Sequence, residues 1–398
     1  MLAFLISTAF ATSLATQPLP ANRPIVVIGQ RIKAAEDDLK SCLARDCPAD
    51  EDIDASLALA ETQIVAGEYR DARETLLSAL RRNKDEAKRY PIPVSDLYRA
   101  NGRVAAHLGY DSDYYRSTWG IYRTLKEGLP SDTVRHYSAL MEVAEMTGRT
   151  RGHDRARLYY ASIAERARSE NRPDIAAIAE LRSAIRHLPS GSEWQNDEIR
   201  RIANLKGSHL RAPALEAKLA LARMAYEKGD ENAARIILKE LAALDIKRPI
   251  LIYAPSYEMV QRELTSVEGL PTLPLSRPAD RMPQGTPWGT LSTTKRLAGH
   301  FEDMWIDVGF HITPEGKVAD ARILRSEGDL FWTAPLMASI RGCRYTPGKE
   351  ADPNSYRRER YTYTSAYEAQ SGTRLVERSP AARVEYFDLS PLGISAPN

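Results

Sequence analysis

The chain has 398 residues, too long for one ordinary hydrophobic core, so two or three domains are expected. Its 27% charged and 43% apolar residues are those of a soluble globular protein. A formal charge of +2 gives no reason to invoke nucleic acid or a strongly anionic surface as partner.

The opening run, MLAFLISTAFATSLA, is small and apolar and carries no charge. It is shorter than the roughly 20 apolar residues a spanning helix needs. It suits a secretory signal over residues 1–15, with Ser13-Leu14-Ala15 as the small-x-small cleavage pattern, although no Lys or Arg precedes it. An uncleaved anchor is the rival reading. Export to the periplasm through a cleavable signal is the expectation, and it gives the cysteines meaning. Cys42 and Cys47 stand five apart in SCLARDCPADED, and an oxidising compartment favours a bridge over two separate thiols. Five residues along a helix exceed a disulfide's reach, so the helix must end between them, as Pro48 allows. Two cysteines without a further Cys or His pair nearby do not complete a tetrahedral metal shell. Cys343 has no partner and reads as a small core residue.

From about Asp54 to Leu244 the pattern is helical. Leu57, Ala60 and Ile64, then Leu76, Ala79 and Leu80, fall at helical spacing, with Gly67 between the runs. Ala60, Gly67, Tyr69, Ala72, Leu76, Ala79 and Leu80 together resemble a tetratricopeptide helix pair. Ala222, Gly229, Asp230, Ala234, Leu238 and Leu241 match again, with the same Gly-to-Ala step. Leu108-Gly109-Tyr110 and Met146-Thr147-Gly148 are expected to end helices, and Ala156 to Ala167 and Ile175 to Leu188 are amphipathic. The glycine spacings, 42 from Gly67 to Gly109 and 39 to Gly148, exceed the family's period of about 34 residues. The resemblance therefore implies degenerate repeats over 54–264, stacked as a solenoid because one hairpin cannot bury its own apolar face.

Between Ser266 and Pro287, five X-Pro pairs (Leu270-Pro271, Leu273-Pro274, Arg277-Pro278, Met282-Pro283, Thr286-Pro287) rule out a helix and favour extended backbone. Residues 265–290 read as a semi-rigid linker, or as a strap on the helical surface.

A C-terminal domain over 291–398 follows. Met304, Ile306, Val308, Phe310 and Ile312 share one strand face, with Trp305, Asp307 and His311 on the other. Pro314-Glu315-Gly316-Lys317 is a tight turn in which Gly316 can take positive φ. Val318 to Ser326 returns, Phe331 to Gly342 is a short helix, and Arg360 to Glu368 and Arg383 to Leu389 are further strands. Phe310-His311-Ile312-Thr313-Pro314-Glu315-Gly316-Lys317-Val318, then Ile323 to Gly328, Ala334 to Ala338 and Arg344-Tyr345-Thr346-Pro347-Gly348, resemble the C-terminal domain of TonB-like energy transducers. Cys343 stands where that family usually has Trp, and the family's membrane anchor and long Pro-rich arm are not seen. The resemblance implies an α+β multidomain protein: a helical solenoid, then a small antiparallel sheet with a packed helix. It implies a binding module with no chemistry of its own, not an energy-transducing arm.

Residues 16–53 are expected to hold a short strand and the cysteine-containing helix. Arg23-Pro24-Ile25-Val26-Val27-Ile28-Gly29-Gln30-Arg31 looks like the "TonB box" of outer-membrane receptors. Such segments bind by adding a strand to a sheet edge. Ile25, Val26, Val27 and Ile28, with Tyr361 and Tyr363 in the sheet, are thus candidate partner-binding residues. A short terminal strand or unstructured lead is the rival.

The sequence carries no recognisable catalytic motif. His107, His136, His153, His187, His209, His300 and His311 are scattered, with no H-E-x-x-H, G-x-S-x-G or P-loop pattern. Solvated or capping roles are expected for them. The arginines from Arg149 to Arg172, interleaved with Asp154, Glu165 and Glu170, read as a salt-bridged solvent face. Glu51, Asp52 and Asp54 read as helix N-terminal charges. The expectation is a non-enzymatic envelope protein without metal or cofactor. Its helical repeats would hold one protein partner and its sheet another, such as an outer-membrane receptor or peptide segment. The alternative is an envelope hydrolase with a site assembled from distant residues. A transducer tethered by an uncleaved N-terminus is a third.

Overall fold

The computed structural model describes residues 23–130, 133–185, 193–242, 249–257, 304–347, 355–369 and 376–390. Both the signal-like run 1–15 and the Pro-rich stretch 265–290 lie outside them. The protein is mostly helical with a small antiparallel sheet domain, an α+β arrangement.

Among the described residues eleven α-helices come first: α1 (Arg23–Ala44), α2 (Ala49–Ala66), α3 (Tyr69–Asn83), α4 (Pro91–His107), α5 (Asp111–Gly128), α6 (Val134–Arg151), α7 (His153–Ser169), α8 (Pro173–Ile185), α9 (Glu193–Ala203), α10 (Arg211–Glu227) and α11 (Glu231–Ala242). Each packs against the next in sequence, and α2 also meets α4, as α8 meets α10. The apolar stripe of α3 (Tyr69, Ala72, Leu76, Ala79, Leu80) is buried at the spacing its sequence carries. Glycines in the left-handed region end α2, α4 and α10: Gly67 at φ 97°, Gly109 at φ 78° and Gly229 at φ 75°.

Three expectations need correction here. Ile25 to Ile28 belong to the first turns of α1 and form no strand. The extended reading failed because β-branched composition is a weak guide where the apolar period continues into a helix. The boundary at residue 54 falls inside α2, which begins at Ala49, so the helical region includes both cysteines. Gly148 does not end α6, which runs on to Arg151 and stops at Gly152, φ 95°.

Cys42 and Cys47 form a disulfide with Cα atoms 5.2 Å apart. As expected, α1 stops between them, at Ala44. Cys343 is a buried free thiol.

The sheet domain contains β2 (Trp305–Ile312), β3 (Val318–Glu327), α12 (Thr333–Gly342), β4 (Arg344–Tyr345), β5 (Tyr356–Ala369) and β6 (Val376–Asp388). The main sheet is antiparallel in the order β3-β2-β5-β6. The β2–β3 turn has Gly316 at φ 77°. Met304, Ile306, Val308, Phe310 and Ile312 pack under α12 against Trp332, Leu336 and Ile340. The other face is not solvated. Trp305 joins the core of α2–α4, and Phe387 of β6 packs beside it.

A short strand after the helices, β1 (Leu251–Tyr253), pairs with β4. Ile252 sits in the core of α10 and α11, and Tyr253 stacks on Tyr226 of α10 at 5.6 Å. The sheet domain therefore touches both ends of the row of helices.

Candidate functional site

The densest polar chemistry lies where β2 and β5 meet the C-terminus of α2. Asp307 is fully buried in β2, whose alternation points it away from α12. It accepts from Arg360 (Nε to Oδ1, 2.5 Å), Arg325 (Nη2 to Oδ2, 2.6 Å) and Arg358 (Nη2 to Oδ2, 2.9 Å). Burial pushes its carboxyl up, but Arg360 and the other two guanidinium groups hold it below the usual range. Arg360, also fully buried, donates to the carbonyls of Ile64 and Val65, and Arg325 donates to Val65 as well. Those carbonyls belong to the last turn of α2, where acceptors lack a following helical turn and the helix dipole is negative. The guanidinium carbon of Arg360 stands 3.8 Å over the Trp305 ring. Trp305 in turn covers Gly67, where an added Cβ would lie 2.7 Å from its Nε1.

Beside it runs a neutral hydrogen-bonded chain. Tyr69 of α3 and His107 of α4 both reach Thr362 of β5, at 3.0 and 2.9 Å, and their rings stack at 5.3 Å. Burial, then the charge of Arg360, pushes His107 down to about 3, so its imidazole is neutral at physiological pH. The solvated role expected for the histidines fails here, and also for His136, which is buried against the Leu125 carbonyl. Further along, Tyr110 stacks on Tyr367 at 5.0 Å, with Arg73 over one outer face and Arg378 over the other. Gly109 approaches so closely that a Cβ would fall 2.0 Å from the Ser365 carbonyl oxygen.

Asp52 is likewise more than a helix-end charge. It is buried and takes two bonds from Arg82 and one each from Asn83 and Ser56, tying α2 to α3. The arginine-rich stretch is salt-bridged as expected, through Arg157–Asp154, Arg166–Glu170 and Arg172–Asp174. Arg149 departs from it and pairs with Glu385 of β6.

The candidate partner residues are dispersed. Tyr363 is buried between Phe331 and Trp332 in the core under α12, so it is not a surface contact. Tyr361 is half-buried and donates to Glu359 at 2.5 Å. Both lie on the face of β5 that packs under α12. Ile25 to Ile28 lie in α1, remote in sequence from both.

The sheet has two edges among the described residues. On β3, Asp320 adopts φ 56° and the register with β2 slips twice. Two bulges on an edge strand disfavour further pairing. On β6 the register with β5 runs unbroken from Ala382 to Asp388, and Tyr386 is 52% exposed. Of the cavities among the described residues, two are shallow, one of about 350 Å³ beside Gly67, Tyr69 and Glu327 and one of about 200 Å³ beside Tyr160, Arg168 and Glu180. Neither is lined by Asp307, His107 or Glu359. No described helix is long and apolar enough to cross a membrane. The one described group of close metal-ligand types, Cys42, Cys47 and Glu51, has both thiols consumed by the disulfide.

No protein-family model matches the chain, and no curated protein matches it. Among solved structures it is similar to the crystal structure of BtubC (BKLC) from P. vanneervenii, at 16% identity and a TM-score of 0.41. That match covers 60% of this chain and 98% of the other. At that score the likeness identifies neither a fold nor a function.

Proposed function

We propose that the protein is a non-enzymatic interaction protein of the cell envelope, with a tetratricopeptide-like row of helices for one partner and a TonB-like sheet domain for another. The sheet would take an extended segment at the outer edge of β6 by strand addition, the backbone giving affinity and alternate side chains selectivity. One observation carries the choice of edge: Ala382 to Asp388 pairs without a slip, whereas β3 is bulged twice. The distribution of charge also favours binding over catalysis. Asp307 and His107 are partnered inside the joint and line neither of the two cavities described above. Both faces of the sheet are covered, which leaves its edges as the binding surface.

The test is a titration of isotope-labelled protein with an extended Val/Ile-rich peptide, followed by amide NMR. Shifts concentrated on residues 382–388 support strand addition at β6. Shifts confined to β3 or to the helices, or none at all, would overturn it.

A further inference from the structure

The end of the helical region is held to the sheet by a small set of contacts. Thr346 donates its amide to the Ile250 carbonyl at 2.8 Å, and Ile250 donates back to Thr346 Oγ1 at 3.0 Å. Ser339 donates to the Pro255 carbonyl at 2.6 Å. The buried guanidinium of Arg357, on β5, donates to the Pro249 carbonyl.

Arg357 has a second claim on it. Two positions along the same face of β5 lies Glu359, 4% exposed, and Asp388 of β6 stands 3.5 Å from Arg357 Nη1. Arg357 Nε is buried without a hydrogen-bond partner, so the guanidinium has donor capacity unused. Glu359 accepts from Tyr361 at 2.5 Å and from Tyr386 at 3.2 Å. Its remaining ionisable neighbours are Tyr345 of β4 and Cys343 at the end of α12, with Arg344 next to Cys343. The cluster thus sets two carboxylates, three phenols and a thiol against Arg357.

We propose that Glu359 and Arg357 form a proton-controlled catch that sets how firmly residues 249–253, and with them the α10–α11 end of the helices, are held to the sheet. With Glu359 neutral, Arg357 is shared between Asp388 and the Pro249 carbonyl. When Glu359 loses its proton to solvent, the new buried charge draws the guanidinium inward and the Pro249 contact is given up. No bond other than O–H is made or broken. Burial, with Asp388 nearby, pushes the Glu359 carboxyl up to about 7, against the lowering from its tyrosine bonds and Arg357. The sign follows: a carboxyl raised by folding stabilises below its unfolded value, and that contribution is lost as pH rises through about 7.

The test is hydrogen exchange at the Thr346 amide, which donates to the Ile250 carbonyl, in the full chain, corrected for intrinsic rate, on both sides of neutrality. Protection is expected to fall several-fold as pH rises through about 7 in the wild type, and to stay flat in Glu359→Gln. Equal pH dependence in the variant would overturn the catch. If Glu359→Gln fails to fold, the side-chain carboxyl-carbon titration of Glu359 in the wild type decides. A midpoint near 4.5, or one that the Thr346 amide does not follow, refutes it. No partner is needed in either measurement, so the outcome is independent of strand addition at β6.

Discussion

Arg360 and Asp307, both fully buried, face each other across adjacent strands, and Arg360 spends its remaining donors on the end of α2. One ion pair therefore belongs at once to the sheet and to the sheet–helix joint. Asp307→Asn leaves three guanidinium groups without their shared acceptor charge. The expected loss of stability is about 3–5 kcal/mol, the cost of uncompensated buried charge. Urea unfolding measures it, and a loss below about 1 kcal/mol would mean that water reaches these groups.

Gly67 and Gly229 give a controlled comparison. Both end a helix at positive φ, 97° and 75°, with the same pair of backbone bonds, but a Cβ at Gly67 would meet Trp305 at 2.8 Å or less, whereas Gly229 has nothing within 4 Å. Gly229→Ala should cost about 1 kcal/mol for the backbone alone. Gly67→Ala should cost a further ~1–3 kcal/mol for the forced displacement of the indole. Equal thermal shifts for the two variants would show that the Trp305 contact is slack.

His107 makes the joint sensitive to acid. Its folded value lies near 3 against 6.5 in the unfolded chain, so the unfolded state binds the proton first. Stability is complete above about 6.5 and is lost progressively as pH falls toward 3. His107→Gln should flatten that limb of the stability profile while leaving a neutral hydrogen-bonding side chain against Thr362. An unchanged acid limb in the variant would assign the loss to carboxylates such as Asp307.

The Cys42–Cys47 bridge closes a short loop, so the chain-entropy gain is modest, about 2 kcal/mol. Reduction, or Cys42→Ala with Cys47→Ala, should lower the melting temperature slightly. Exchange should rise in α1 and the start of α2, leaving the sheet domain untouched. A loss of sheet protection would contradict this local role.

Much of the fold was legible because its signals are local. Gly67, Gly109 and Gly229 fall where helices end, and Gly316 where the hairpin turns, since each needs positive φ. The alternation of Met304 to Ile312 correctly assigned Met304, Ile306, Val308, Phe310 and Ile312 to one face. What lay against the opposite face was not legible, because Arg325 and Arg360, which hold Asp307, find their other partners in α2, more than 200 residues earlier in sequence. A Trp and an Asp alternating on a strand read equally well as solvated. Their burial was signalled only by the excess of arginine in Arg357-Arg358-Glu359-Arg360 and at Arg325, a pattern with no periodicity to decode. The glycines carried a second meaning for the same reason. Gly67 and Gly109 end helices, but they also lack the Cβ that would collide with Trp305 and Ser365. The Val/Ile run near the start misled, because residues 25–28 continue into the helix that carries Cys42.

The two attachments of the sheet have a mechanical consequence. Traction applied at the outer edge of β6 divides. One branch runs through Glu385 to Arg149, through Arg383 to Asp111, and through Arg360 and Arg325 to the end of α2, and the other runs through β4 into β1 and α10. The branches act in parallel, so a pull that parts one still meets the other. The α2 branch contains buried ion pairs and an indole that must separate together, whereas β1 and β4 are short and can unzip one bond at a time. The protein is thus built to yield first at the β1–β4 end, and to let the row of helices swing open there while its α2 end stays fixed.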